Sequence, residues 1–356
     1  MVSLLVVAFA GCVPSRGQFV IDGETSGLTG SDPSSPSTPT PDTPTDPTSP
    51  TTGTDPTTPD PTTTTTTPPE TGDTGVPVDP CTVIPIAPTS VAMVSSVMPS
   101  EDFVFDASGL LYNVPDGHDA VFRTEFGLQS AFVAPFEAND VAGIRVLLDG
   151  TLAIANEGAG SVDRIDPATG ARTVIVGGLN SPNSLAVGPD GRLYVATFGS
   201  VVRVDPAGSS EVELLADLPG MDLDGLTFSP DYGTLYVNHD EAGEIATIAL
   251  AADGSVLSVA MFLQLAVGFS AELDGMATDV CGNLYVTKTN GEVWRVEPDG
   301  TAGLYADAPV GDPFTTGVQF GSGVGGWQRD HLYLMDRNNG LVDLGVGVEG
   351  RPEPHL

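Results

Sequence analysis

From about residue 100 onward the chain repeats one hydrophobic pattern. Short runs of alternating apolar and polar residues are broken by Gly-, Asp- and Pro-containing turns, with little helical periodicity, which predicts strands joined as hairpins. Residues 272–286, ELDGMATDVCGNLYV, show the unit: a strand start carrying Asp274, a turn at Cys281-Gly282-Asn283, and a second strand Leu284-Tyr285-Val286. Aligned on the leucine that opens each second strand, the unit recurs at Leu111, Leu152, Leu193, Leu235, Leu284 and Leu332, with separations of 41, 41, 42, 49 and 48 residues. A third strand often follows and ends in a fixed phrase, as in Arg164-Ile165-Asp166-Pro167, Arg203-Val204-Asp205-Pro206 and Arg295-Val296-Glu297-Pro298. Six repeats, each with room for four short strands, predict an all-β, six-bladed β-propeller over residues 81–356. A ring closes best when one blade mixes strands from both ends of the chain, and residues 82–97 are the segment placed to add the outer strand of the last blade.

In such a ring the first strand of each blade lines a central channel, so one repeat position recurs around it. Ten residues before the anchoring leucines stand Glu101, Ala142, Asn183 and Asp274. Asp224 takes the seat in the fourth repeat, allowing for a turn one residue longer at Tyr232, and Thr315 or Thr316 falls there in the sixth. Four of six seats thus carry oxygen donors: Glu101, Asn183, Asp224 and Asp274. Taken singly, Asp224-Gly225 and Asp274-Gly275 also read as turns; the common register argues for a ligand column. Ionised carboxylates at one mouth repel one another, and a divalent cation relieves this. Hard oxygen donors suit Ca²⁺ first, then Mg²⁺ or Mn²⁺, and the column has no His or Cys for zinc. Second strands return to the same mouth, bringing Asn156-Glu157, Asn238-His239, Thr287-Lys288 and Asp336-Arg337 towards it. Of these Lys288, the chain's one lysine, His239 and Asn238 are the candidate substrate-rim residues, and the stretches 219–222 and 321–326 are the candidate rim loops.

The residues before the repeats are of another kind. Residues 1–11, MVSLLVVAFAG, form a short apolar run that reads as a secretory signal. Phe9-Ala10-Gly11-Cys12 resembles a bacterial lipobox, with Phe9 where Leu is usual, which makes Cys12 the candidate lipidation site. Residues 12–80 are dominated by Thr, Pro, Asp, Ser and Gly, including six consecutive threonines at 62–67. They have too few large apolar residues to offset their ordering entropy and are expected to form a disordered, extended linker. The resulting expectation is an exported domain, lipid-anchored in a bacterial cell envelope at the outer membrane or periplasmic face, or otherwise secreted. It would touch a membrane only through its anchor and act as a monomer. The formal charge of −35, from 12 basic and 47 acidic residues, argues against nucleic acid as a partner. With Cys12 assigned to lipid, Cys81 and Cys281 are left either as a disulfide, which the oxidising compartment of an exported chain permits, or as two free thiols.

SPNSLAVGPDGRLYVATFGS (181–200), LDGLTFSPDYGTLYVNHD (223–240) and LDGMATDVCGNLYVTKTNGEVWRVEPDG (273–300) resemble the gluconolactonase, senescence marker protein and luciferin-regenerating enzyme family over about residues 100–350. The resemblance implies a six-bladed propeller with a divalent metal in its channel that hydrolyses lactones or related esters. It implies Glu101 and Asp274 as metal ligands, Asn183 as a channel Asn, and Asp224 where the family usually places an Asn. A Glu-Gly-Pro phrase of the family reads Glu101-Asp102-Phe103 here. Asp274 is then the candidate general base for a small-molecule lactone or ester. The competing expectation is a non-catalytic propeller whose metal is structural and whose rim binds a protein or glycan.

Overall fold

Every repeat folds as a four-stranded antiparallel sheet. The computed structural model describes residues 79–136, 140–207, 209–265 and 272–356. The expected signal (1–11), Cys12 and all but the last two residues of the expected linker lie outside the described residues. The first blade is formed by β2 (Ser100–Phe105), β3 (Leu110–Pro115), β4 (Ala120–Glu125) and β5 (Ala131–Pro135), and β1 (Ser90–Val94) precedes it in sequence. The second comprises β6 (Val141–Val146), β7 (Leu152–Asn156), β8 (Ser161–Ile165) and β9 (Arg172–Gly177). The third has β10 (Leu185–Val187), β11 (Leu193–Thr197), β12 (Ser200–Asp205) and β13 (Ser209–Asp217). The fourth has β14 (Leu223–Phe228), β15 (Thr234–His239), β16 (Glu244–Leu250) and β17 (Val256–Gln264). The fifth has β18 (Leu273–Thr278), β19 (Leu284–Lys288), β20 (Glu292–Val296) and β21 (Ala302–Asp307). The sixth combines β22 (Thr315–Phe320), β23 (His331–Asp336) and β24 (Gly340–Gly345) with β1, which pairs antiparallel to β24 from Ser90↔Gly345 to Val94↔Leu341. The chain is a six-bladed β-propeller closed by its N-terminal strand.

The leucine phase follows from this layout. Second strands lie inside their sheets and are covered on both faces by neighbouring blades, so apolar side chains are favoured on both sides. All six anchoring leucines are at most 1% exposed. The buried apolar residues fall into six clusters, each spanning the junction between two successive blades, including the closing junction between the sixth and first. Turn aspartates act as local hydrogen-bond acceptors. Asp279 accepts from Cys281 N, Asn283 N and Asn283 Nδ2 at 2.9, 2.9 and 2.7 Å, which fixes the turn before β19. In the longer turn before β15 the left-handed residue is Tyr232 (φ 59°), a conformation unfavourable by about 1–2 kcal/mol for a residue with a Cβ. Tyr232 is held there from the C-terminal segment: Arg351 Nη1 donates to its hydroxyl at 2.6 Å, and that hydroxyl donates to the Pro352 carbonyl at 2.7 Å.

Cys81 and Cys281 are bonded, with Cα atoms 5.4 Å apart and 200 residues between them in sequence. The bond ties the segment leading into β1 to the fifth blade. The Gly-rich insertion at 321–326 joins β22 to β23, at the opposite end of the first strand from Thr316, so it is not a rim loop of the ligand-bearing mouth. It instead delivers Trp327, 1% exposed, into the junction of the sixth and first blades.

Candidate functional site

The column is built by a repeated β-bulge. In blade one, Ser100 pairs with Pro115 and the next pair is Phe103 with Asn113, so Glu101 and Asp102 both face Val114. The same two-against-one step places Ala142-Gly143, Asp224-Gly225, Asp274-Gly275 and Thr316-Gly317 at equivalent sites. Blade three makes the same step through backbone bonds, Asn183 N to Ala196 O and Ala196 N to Ser184 O, both 2.9 Å. A bulge re-aims the side chain it carries, and here it does so once per blade. The inner ring is therefore Glu101, Ala142, Asn183, Asp224, Asp274 and Thr316, the register selecting Thr316 over Thr315.

The glycines that follow these seats are not turn formers, since none of Gly143, Gly225, Gly275 and Gly317 has a positive φ. They are sites of close approach between blades. A Cβ on Gly143 would lie 2.6 Å from Asn183 O, one on Gly275 2.6 Å from Thr316 O, and one on Gly317 3.0 Å from Glu101 O; Gly225 lies against Asp274 O in the same way. Second-strand side chains opposite the bulges pin this ring. Asn238 accepts from Gly225 N at 2.7 Å and donates to Asp274 O at 2.5 Å, while Thr287 donates to Thr316 O at 2.6 Å.

This corrects the expected rim. Asn238 is fully buried between the fourth and fifth blades, its amide engaged by backbone, as a buried amide must be. Lys288 is 3% exposed; its ammonium lies 3.0 Å from Glu292 and 4.6 Å from the Trp294 ring centroid, within its own blade. His239 Nδ1 lies 3.5 Å from Glu244 across its own hairpin. The equivalent position lies five residues beyond each anchoring leucine, at Asp116, Glu157, Phe198, Asp240, Thr289 and Arg337, and of these Glu157, Asp240, Thr289 and Arg337 line the mouth. Each of these donates its backbone N–H to the segment entering a first strand, namely to Pro99, Asp140, Asn180, Asp222, Glu272 and Phe314 respectively. They form an outer ring above the inner one. Counting forward from the leucine would have found it, whereas reading the last strand residue missed it by one in the fourth and fifth blades.

The rings border a cavity of about 600 Å³ including its open mouth; among the described residues its lining holds seven carboxylates (Glu101, Asp140, Glu157, Asp224, Asp240, Glu272 and Asp274) and one cation, Arg337, together with Asn183, Thr289 and Phe314. Beneath the inner ring, Asp102 pairs with Arg145 at 2.5 Å and accepts from Ile144 N at 3.1 Å. Burial raises the inner carboxylates, and their mutual repulsion adds to it. Glu101 is pushed up to about 7 by burial, against the pull of Arg337 and with the push of Asp102, Asp116 and Asp140. Asp224 is raised well above the usual range by burial, then by Glu101, Asp240, Asp222 and Glu157. Asp274 is raised likewise by burial, Asp224, Glu101 and Asp102. In the outer ring Asp240 is pushed up to about 6, chiefly by burial.

These shifts fix a pH dependence. A carboxyl whose folded-state pKa exceeds its unfolded value near 4 takes up a proton on folding, so its favourable contribution is complete below about pH 4 and is lost as pH rises through the folded value. For Glu101 and Asp240 that window ends near pH 7 and pH 6. Turn aspartates such as Asp231 and Asp253, held low by the hydroxyls of Ser229 and Ser255, act below it. The melting temperature of EDTA-treated protein is expected to fall between pH 5 and pH 7.5. A metal-free melting temperature that rises over this interval would contradict the assignment.

Among the described residues, no three His, Cys, Asp or Glu side chains stand grouped ready to hold a metal ion; the Glu101 carboxylate is turned to Arg337, 2.6 Å away. The donor chemistry nevertheless fits a hard divalent cation: three carboxylates and an amide, all oxygen donors, share one ring and one cavity.

Known proteins of this kind exist. The profile of the SMP-30/gluconolactonase/LRE-like region matches residues 134–335. A gluconolactonase of Zymomonas mobilis is 28% identical over 233 residues, covering 56% of this chain and 64% of the relative. The match thus spans just under two thirds of that relative's length. Among solved structures, a gluconolactonase of Xanthomonas campestris superposes with a TM-score of 0.60 at 23% identity, over 72% of this chain and 89% of the other. A calcium-binding regucalcin of Agrobacterium tumefaciens gives 0.59 at 22% identity, over 75% and 97%. At these identities the two structures speak for a shared fold.

Proposed function

Because the chain belongs to the SMP-30/gluconolactonase/LRE-like family, we propose that it hydrolyses a lactone or related ester with a divalent cation, Ca²⁺ first, held by Glu101, Asn183, Asp224 and Asp274. The observation that carries this reading is the inner ring of oxygen donors inside a cavity where, among the described residues, seven carboxylates face one cation. Such a field concentrates cations and repels free anions. A bound divalent ion supplies Lewis acidity towards a carbonyl oxygen and lowers the pKa of a coordinated water.

The chain's own residues do the rest. Asp274, 7% exposed, lines the cavity with its carboxyl and serves as the proton acceptor. It takes the proton of the attacking water as that oxygen bonds to the lactone carbonyl carbon. It returns the proton to the ring oxygen as the carbon–oxygen bond breaks, giving a hydroxy acid. Asn183 offers an amide beside the carboxylates to orient the substrate, and Thr289 and Arg337 frame the entrance.

The test is a panel of sugar and aliphatic lactones followed by pH indicator, with and without EDTA. Turnover that chelator abolishes and Ca²⁺ restores is expected. Stoichiometric Ca²⁺ binding with no turnover of any lactone or ester would favour the non-catalytic propeller with a partner at its rim. The same proposal places the domain outside the cytoplasm, anchored through Cys12, and the Cys81–Cys281 bond supports it because such bonds persist in oxidising compartments. Recovery of the protein in the cytoplasmic fraction with both thiols free would overturn that placement.

A further inference from the structure

Among the described residues Arg337 is the one cation lining the cavity, in a chain with 12 basic residues in all. Its guanidinium is engaged on three sides. Nε and Nη2 grip the two oxygens of Asp116 at 2.8 and 3.1 Å. Asp116 is the adjoining seat of the outer ring, in the blade across the closing junction. The guanidinium carbon lies 5.4 Å from the Phe314 ring centroid. The remaining nitrogen, Nη1, reaches down to Glu101 Oε2 at 2.6 Å. The fork on Asp116 is bidentate and fixes the head group by itself, so the Glu101 contact is separable from it. Among the described residues, Glu101 is the inner-ring carboxylate that has an ion-pair partner, while Asp224 and Asp274 have none.

We infer that Arg337 is a tethered counter-cation that occupies Glu101 in the metal-free protein and competes with the divalent ion for it, with Asp116 as the clamp to which the guanidinium withdraws. This rests on the reading of the inner ring as a cation site. A guanidinium and a divalent ion on one carboxylate repel each other in a partly desolvated cavity, where Coulomb interactions are stronger than in water. The arrangement therefore weakens cation affinity and steadies the empty ring. Arg337 is a positioning residue in this scheme, because it acts through Glu101.

The experiment is a calorimetric CaCl₂ titration of the EDTA-stripped full chain, with melting curves of the metal-free and Ca²⁺-loaded forms, for wild type, Arg337→Gln, Asp116→Asn and the double variant. Arg337→Gln is expected to bind Ca²⁺ at least tenfold more tightly, with a lower metal-free melting temperature and a nearly unchanged loaded one. Asp116→Asn is expected to bind more weakly than wild type, and by a smaller factor when Arg337 is already Gln. If Arg337→Gln does not fold, Arg337→Lys, which keeps the charge but cannot hold both carboxylates, is expected to tighten binding several-fold. Equal or weaker binding by a folded Arg337 variant overturns the competition while leaving the cation site standing. Absence of Ca²⁺ binding in wild type and variants alike overturns the cation site, and the competition with it.

Discussion

Exchanging Asp274 for Asn is expected to lower lactone turnover by a factor of about 10²–10⁴, the usual contribution of a positioned general base, and to remove stoichiometric Ca²⁺ binding. The same exchange is expected to raise the melting temperature of the metal-free protein. Asn is close to isosteric with Asp, and the backbone carbonyl that Asn238 holds at 2.5 Å is unchanged, so the bulge is kept. What changes is charge. Asp274 is buried beside Asp224 and Glu101, and its ionised form is disfavoured by burial first and by those neighbours second. Removing it relieves that repulsion, and in a domain of this size each kcal/mol appears as about 2–4 °C. The gain should be largest at pH 7.5, where the neighbouring carboxyls are most ionised, and should shrink towards pH 5. A site tuned for function at a cost in stability behaves in this way. A metal that was only structural would give a different pattern: a lower melting temperature in Ca²⁺ and no catalytic loss, because there would be no catalysis to lose. Full turnover by Asp274→Asn would remove Asp274 from the chemistry.

The inner ring was legible because one cause acts in every blade. The leucine that opens a second strand must be buried between two blades, and the bulge lies at a constant distance before it, so ten residues back from Leu111, Leu193 and Leu284 gives Glu101, Asn183 and Asp274. Closure of the ring by β1 was legible for a similar reason, since the unpaired edge of β24 needs a partner. The rim was less so. At the end of a second strand the chain passes from the blade junction to the cavity within two residues, so Asn238 is spent on holding two bulges while Asp240 lines the mouth. Lys288 is drawn aside by Glu292 and Trp294, both of β20, and nothing in the isolated sequence says that this neighbour outcompetes the cavity. Arg337 was seen as approaching the rim, but its attachment to Asp116 is 221 residues away in sequence and exists only once the ring has closed.

Trp327 shows the same limit and yields the largest expected loss of stability. The glycine-rich stretch before it looked like a loop for reading substrate, yet it places the indole at the junction that closes the ring. Trp327 is 1% exposed and packs against Phe105, Phe126 and Tyr333, with ring centroids 4.9, 4.9 and 5.3 Å away. Its Nε1 donates to Gly109 O at 2.9 Å. Gly109 and Gly325 let the insertion come that close: a Cβ on Gly109 would lie 2.8 Å from Val324 backbone, and one on Gly325 2.9 Å from Gly109 O. Trp327→Ala therefore opens a large apolar cavity and leaves a buried carbonyl without its donor. The expected loss is about 3–5 kcal/mol, to be read from urea unfolding monitored by circular dichroism. Trp327→Phe keeps much of the packing but loses the hydrogen bond and part of the ring volume, so about 1–3 kcal/mol is expected. Because the insertion lies at the far end of the first strand from Thr316, Ca²⁺ affinity of the folded Phe variant should match wild type. A loss below about 1 kcal/mol for the Ala variant would mean that the closing junction is held by the β1–β24 pairing and the remaining aromatics without the indole.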